Sequence, residues 1–365
     1  MLGIYVHIPF CESKCYYCAF SSFVRDENQQ ERYINSLIEE IKEFAKQEKR
    51  EIDTIYVGGG TPSIISIPLM QKLFDALKEN FIWHESLEFT IEANPCSLTE
   101  EKLEFYKKQG VNRLSLGIQS LENDKLKAIG RRHDSFEAIN KIKLAGMYFD
   151  NLSCDMLIGL PDMDKDKFLW QINLLTDLNV RHISAYMLQL ENDTKLLKMV
   201  ENKEINLPDD DECVDAYEDM VNSLAKKGFE RYEVSNFAKH GYESKHNFKY
   251  WTGEDYVGFG LGAHSYLNGV RFANSSTFDG YYKRELSQKE ILTEHQKMEE
   301  HIMLGLRCKA GISKEFLKKY GYDIEKSDKY IEFKEKGILN ENEDKISLNP
   351  DYYGVSNYII ASILP

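Results

Sequence analysis

The feature that most limits how this chain can fold is an alternation of short apolar strands and amphipathic helices, repeated six times before residue 230. Residues 31–46 carry apolar side chains at 33, 34, 37, 38, 41, 44 and 45, which is one stripe of a helix. Residues 52–57, 87–92, 113–117, 152–158 and 182–187 read as strands, after a first strand that precedes Cys11. Helices are expected at 67–80, 100–108, 122–129, 134–145, 165–177 and 209–227, with Ser97-Leu-Thr-Glu100 as a capping box for the second. Strands and helices in this order predict a parallel β/α array with right-handed crossovers. Six units fit an α/β partial, open (β/α)6 barrel better than a doubly wound sheet, and place chemistry at the C-terminal strand ends.

A tight loop directly after the first strand reads Cys11-Glu-Ser-Lys-Cys15-Tyr-Tyr-Cys18. Its C-x3-C-x2-C spacing brings three thiolates to one point and cannot supply a fourth. Three thiolates on one cubane hold three of four irons and leave the last open to an exogenous ligand. Zinc would want a fourth Cys or His, and no second CxxC occurs, so zinc stays open as the poorer fit. A disulfide with a spare thiol conflicts with the lack of a signal-peptide pattern. Gly58-Gly59-Gly60-Thr61-Pro62, Glu92, Gln119 and Asp155 also fall at or near strand ends, which predicts one site.

At 365 residues the chain has room for two domains. A net charge of -14 disfavours a nucleic-acid partner, whose phosphates attract Lys and Arg. Without a signal peptide or a long apolar run, the expected location is a reducing cytoplasm. Cys96, Cys154, Cys213 and Cys308 are scattered singly and read as buried or incidental. Residues 229–275 are aromatic and Gly-rich without clear periodicity. Helices at 295–306, 313–319, 327–336 and 354–363, with a β-wing near 346–348, then predict a small α+β winged-helix-like domain. The expected division is 1–235 for the barrel, 236–292 for a connecting region and 293–365 for the C-terminal domain.

From Cys11 onward the chain resembles the radical S-adenosylmethionine (SAM) superfamily, whose cysteine spacing and motif order it follows. The resemblance implies a [4Fe-4S] cluster on Cys11, Cys15 and Cys18, with SAM on the open iron. One electron from such a cluster breaks the SAM C5′–S bond and releases a deoxyadenosyl radical. The resemblance casts Gly59, Gly60 and Thr61 as backbone facing the methionyl amino group, Glu92 as partner of the ribose hydroxyls, and Tyr5 as a SAM contact. Within the superfamily the pattern is similar to the oxygen-independent coproporphyrinogen III oxidase (HemN) group. Tyr17, Gln119, Arg131 and Asp155 match its SAM positions. Apart from that resemblance, Arg131 and Arg132 read as a surface pair and Asp155 as a strand carboxylate.

Two departures point from the oxidase toward the haem-chaperone branch of that group, HemW. Phe20 stands where the oxidases carry a fourth cysteine, and only ten residues precede Cys11 instead of an extension of several dozen. A third feature, His246-Asn247-Phe-Lys-Tyr250-Trp251, matches the H-N-x-x-Y-W motif of that branch. Two readings of it stand. His246 is an axial ligand to haem with Tyr250 and Trp251 as flat faces, or it makes structural hydrogen bonds while the aromatics fill a domain junction. His7 and His264 read as structural. The branch implies a carrier that binds haem, a cluster and SAM and delivers haem to an acceptor protein, such as a membrane respiratory enzyme met from the cytoplasmic face. Homodimerisation is a further expectation. The alternatives are the oxidase itself or another radical SAM enzyme on this scaffold.

Overall fold

A computed structural model describes residues 1–364. Six strands run parallel and neighbour one another in chain order: β1 (Leu2–Ile8), β2 (Ile52–Gly59), β3 (Trp83–Ala93), β4 (Arg113–Gln119), β5 (Asn151–Ile158) and β6 (His182–Met187). Each is joined to the next through helix on one face, as expected of a β/α array. Helix Lys165–Asp177 falls where its periodicity put it, and the first helix, Glu27–Ala45, starts earlier than its apolar stripe. Asp26 caps that helix, accepting from the backbone N–H of Gln29, and Tyr33, Ile34, Leu37, Ile38 and Ile41 are buried beneath it. Truncating one of these, as in Leu37→Ala, costs roughly 2–5 kcal/mol.

The strands alternate in what they present, apart from register shifts at the starts of β1 and β2. Leu2, Ile4, Val6 and Ile8 of β1 are buried in the hydrophobic core that also takes in the helices. Their neighbours on the other face belong to a lumen whose lining is polar: Tyr5 and His7, Thr54 and Tyr56, Glu88 and Glu92, Arg113 and Ser115, Ser153 and Asp155, His182 and Ser184. Closed barrels of this kind fill that space with branched aliphatic side chains. Here it is furnished to hold something.

The sheet does not end with these six strands. After β7 (Phe229–Arg231) and β8 (Asn236–Lys239), where β8 adds antiparallel to β6 and β7 antiparallel to β8, the chain returns to the far side of β1. There β9 (Tyr256–Phe259) pairs parallel with β1, and β10 (His264–Leu267), β11 (Val270–Asn274) and β12 (Leu286–Ile291) extend the sheet to twelve strands. The aperiodic stretch thus contains five short strands and a helix, in pieces too short to show alternation. Helix Lys245–Thr252, between β8 and β9, crosses the lumen at the end where the strands begin. The capping box expected from Ser97 does not form. Thr99 caps helix Glu100–Lys108, and Ser97 lies in a 3-10 turn with its hydroxyl on Ser63.

Beyond residue 293, helices Glu294–Gly305, Lys314–Lys319, Asp328–Glu335 and Ser356–Ile363 surround a small antiparallel sheet. Its strands are β13 (Ile312–Ser313), β14 (Leu339–Glu341) and β15 (Lys345–Leu348), in the order β13-β15-β14. Met298, Ile302, Leu306, Leu317, Phe333 and Ile360 belong to its separate hydrophobic core. Among the described residues no helix is long and apolar enough to cross a membrane.

Candidate functional site

The three cysteines lie on the loop that leaves β1, each partly exposed and none in a disulfide. Main-chain bonds shape the loop: Cys11 N–H to Phe23 C=O at 3.1 Å, and Cys18 N–H to Cys15 C=O at 3.2 Å. The Thr61 hydroxyl approaches the Cys11 sulfur at 3.5 Å, and Arg131 Nη1 approaches that of Cys15 at 3.5 Å. Donors around sulfur favour thiolates, and a cluster needs thiolates. Burial pushes the Cys18 thiol up, with Cys15 and Cys11 adding to the effect.

The Gly-rich turn after β2 is packed against this loop. A Cβ on Gly60 would sit 2.6 Å from the Phe10 carbonyl and 3.0 Å from the Cys11 sulfur, so no side chain fits there. Gly59 has φ +114°, and a Cβ on it would strike the His7 ring at 2.5 Å. His7 in turn accepts from or donates to the Tyr5 hydroxyl at 2.9 Å, and burial lowers its pKa to about 4. Glu92, at the end of β3, receives Tyr56 O–H at 2.7 Å and Gly59 N–H at 3.0 Å. Burial raises its pKa to about 7, against the pull of the Tyr56 bond.

Opposite, Asp155 on β5 accepts from Ser115 at 3.2 Å. Burial raises its pKa, while bonds from Ser184 and Ser115 and the Arg113 charge work the other way. Gln119 ends β4 at φ +69°, a conformation that side-chain-bearing residues rarely hold, where the β4–β5 register shifts. Arg131 donates through Nη2 to the Gly117 carbonyl, and its buried Nε has no partner. Tyr17 packs with Ile129, Leu157 and Leu160, and burial raises its pKa. The fold therefore gathers Tyr5, Cys11, Cys15, Cys18, Tyr17, Gly59, Gly60, Thr61, Glu92, Gln119, Arg131 and Asp155 at the end where the strands finish. Three free thiols, a cradle without side chains and an unpartnered guanidinium nitrogen fit a cluster with an anionic chelating ligand. Arg132, by contrast, is exposed and pairs with Glu12 at 2.7 Å, a surface role.

The H-N-x-x-Y-W motif lies at the other end, on the helix that crosses the lumen. His246 is fully buried. One ring nitrogen meets the Thr54 hydroxyl at 2.8 Å and the other meets the Tyr250 hydroxyl at 2.9 Å. Its ring lies 5.4 Å from that of Tyr56, nearly parallel. Burial lowers its pKa to about 3, helped by Lys249 and Arg113. The Glu88 carboxylate accepts from the backbone N–H groups of Lys245 and His246, both at 3.0 Å. Both imidazole nitrogens thus have hydroxyl partners, the arrangement that the hydrogen-bonding reading of the motif expects. Asn247 and Trp251 are partly exposed on the same helix.

Sequence reasoning passed over Tyr56, Ser115 and Ser184, which hold the two site carboxylates, and Arg113. That arginine is 1% exposed in the lumen, with Nε and Nη1 unpartnered. The signal was present: polar residues at every second position of strands otherwise rich in Ile, Leu and Val.

Comparison with known proteins agrees with this geometry. The radical SAM superfamily pattern matches residues 5–175, and the HemN C-terminal domain matches residues 292–351. The heme chaperone HemW of Lactococcus lactis subsp. lactis is 35% identical over 370 residues, spanning 99% of this chain and 96% of its own. That of Bacillus subtilis is 36% identical, spanning 100% and 99%. Coproporphyrinogen III oxidase (HemN) from Escherichia coli superposes with a TM-score of 0.85 over 100% of this chain and 90% of its own, and at 20% identity this shows a shared fold. The similarity to the heme chaperones exceeds 30% and runs the length of both chains, so this chain belongs to the HemW family of radical SAM proteins.

Proposed function

We propose that this protein is a haem carrier that binds a [4Fe-4S] cluster, SAM and haem, and hands the haem to an acceptor protein. The observation that carries this reading is the chain-long similarity to proteins named heme chaperones. Cys11, Cys15 and Cys18 would hold the cluster. Gly59, Gly60 and Thr61 would present backbone to the SAM amino group, Glu92 would accept from its ribose, and Tyr5, Tyr17, Gln119, Arg131 and Asp155 would enclose it. When bound, the reduced cluster supplies one electron toward the sulfonium. The chain's own residues bind and orient: Tyr56 fixes Glu92, Ser115 and Ser184 fix Asp155, and Arg131 keeps a donor free for an anion.

On this reading the barrel of 1–235 carries the cluster and SAM, and 236–292 with 293–365 serve the haem. The acceptor would be a membrane respiratory enzyme, approached by a cytoplasmic protein that attaches peripherally, alone or as a homodimer. The test is a titration of haemin into anaerobically reconstituted protein, followed by mixing with an apo-haemoprotein. One-to-one binding and transfer are expected. Failure to bind haemin sinks the carrier, and protoporphyrinogen formed from coproporphyrinogen by the pure protein would establish the oxidase instead.

A further inference from the structure

Between helix Lys245–Thr252, the strands β9–β11 and the C-terminal unit lies a cavity of about 270 Å3 that opens to solvent. That is just below the usual size of ligand sites, so a large ligand would be held between its walls with one edge in solvent. Its walls are aromatic on both sides. Tyr250, Tyr256 and Tyr266 come from the barrel side, with Tyr250 set edge to face on Tyr256 at 4.6 Å. His301, Phe316 and Tyr320 come from the C-terminal unit, in contact in series with tilted rings whose centroids lie 4.1 and 4.5 Å apart.

Three cations share this lining with the carboxylates Glu254 and Glu300: Lys249, which is taken up by Asp53 and Glu254 at 2.8 Å each, and Arg271 and Lys297. Arg271 pairs with Glu300 through Nη2 at 2.7 Å, which leaves the rest of its donor fork for another carboxylate. Lys297 pairs with the exposed Glu294 at 2.8 Å, a contact that a second anion displaces at little cost. Aromatic walls favour a flat ring system between them, and a pair of cations favours carboxylates on its edge. The His301 ring is held as a wall, since Nε2 accepts the Ser313 N–H at 2.9 Å.

We propose that this cavity, and not the barrel lumen, receives the porphyrin: a planar macrocycle between the two aromatic walls, its carboxylates toward Arg271 and Lys297. The proposal rests on the haem-carrier reading and goes beyond it in naming the place. The H-N-x-x-Y-W motif then acts through Tyr250, whose hydroxyl is anchored on His246 and whose ring forms part of the wall. Packing and charge hold the ligand, so iron is not required.

The test uses the full chain and two probes, haemin and iron-free protoporphyrin IX, read by quenching of intrinsic fluorescence. Wild type should bind both with affinities within about tenfold of each other. Leu304→Trp fills the cavity and should weaken both probes by at least about tenfold, with melting and circular dichroism as folding controls. Lys297→Glu, at the surface, keeps the test open if Leu304→Trp does not fold, and should weaken both by about threefold to tenfold. Haemin bound equally by wild type and both variants, or haemin bound without the iron-free probe, overturns the cavity and leaves the carrier standing. Wild type that binds neither probe overturns both.

Discussion

The two ends of the barrel share one polar lumen but are finished in opposite ways. Where the strands end, groups are left over: three free thiols, the Nε of Arg131 and a backbone turn stripped of side chains. Where the strands begin, the motif helix and its partners are engaged: both nitrogens of His246, both oxygens of Glu88, and Lys249 between Asp53 and Glu254, with Arg113 the exception in keeping two unpartnered nitrogens. Buried polar groups without partners cost free energy, so a fold keeps them where a ligand will satisfy them. The motif helix, with its contacts complete, is a plug. Burial shifts titratable groups at both ends, Glu92 upward and His7 and His246 downward.

Four measurements would break or sharpen this contrast. The largest effect is expected from replacing Cys11, Cys15 and Cys18 together by Ala. All visible absorption of the reconstituted cluster should vanish while far-ultraviolet circular dichroism is kept, and any residual cluster would move the site elsewhere. Next, His246→Ala should lower stability to urea by about 2–4 kcal/mol, because it opens a cavity and orphans Thr54 and Tyr250. Cluster content should be unchanged, and its loss would show that the ends are not separable.

The third measurement is stability against pH. Glu92 keeps its proton in the fold up to about pH 7, whereas the unfolded chain releases it near 4.5. That stabilisation is full below about 4.5 and lost as pH rises through about 7, so wild type should lose about 3 kcal/mol relative to Glu92→Gln across the window. His246 has the opposite sign. Its contribution is full above 6.5 and lost as pH falls toward about 3, so wild type should weaken on acidification relative to His246→Gln. Slopes of equal sign would end the comparison. The smallest effect belongs to Phe20→Ala. Its ring is 68% exposed, and stability should change by under about 0.5 kcal/mol.

The barrel was legible because periodicity is local: strands β2, β4, β5 and β6 and helix Lys165–Asp177 lie where the apolar pattern put them. The cysteine loop was legible because three ligands sit within eight residues. What escaped depends on contacts distant in sequence. β9, at four residues, has no pattern of its own and exists through pairing with β1. The plug helix could have been found from Ser244, which caps its start, and Gly253, which closes it at φ +68°. Hydrogen bonding by His246 was one of the two readings the motif allowed, but its partner Thr54, 192 residues away, could not be named from the sequence.

That pairing of β9 with β1 has a consequence in time. The strand that presents the cysteine loop is flanked on one side by β2, made soon after it, and on the other by residues 256–259. Gly3 meets Tyr256 and Val6 meets Phe259. A growing chain can build most of its parallel strands while one edge of the first remains open, because closing a loop of that length must await its far end. At the ribosome's pace of about 5–20 residues per second, that interval is on the order of ten seconds or more. The cysteine loop is thus synthesised early, while the strand that carries it gains its second neighbour only once residues 256–259 have been made.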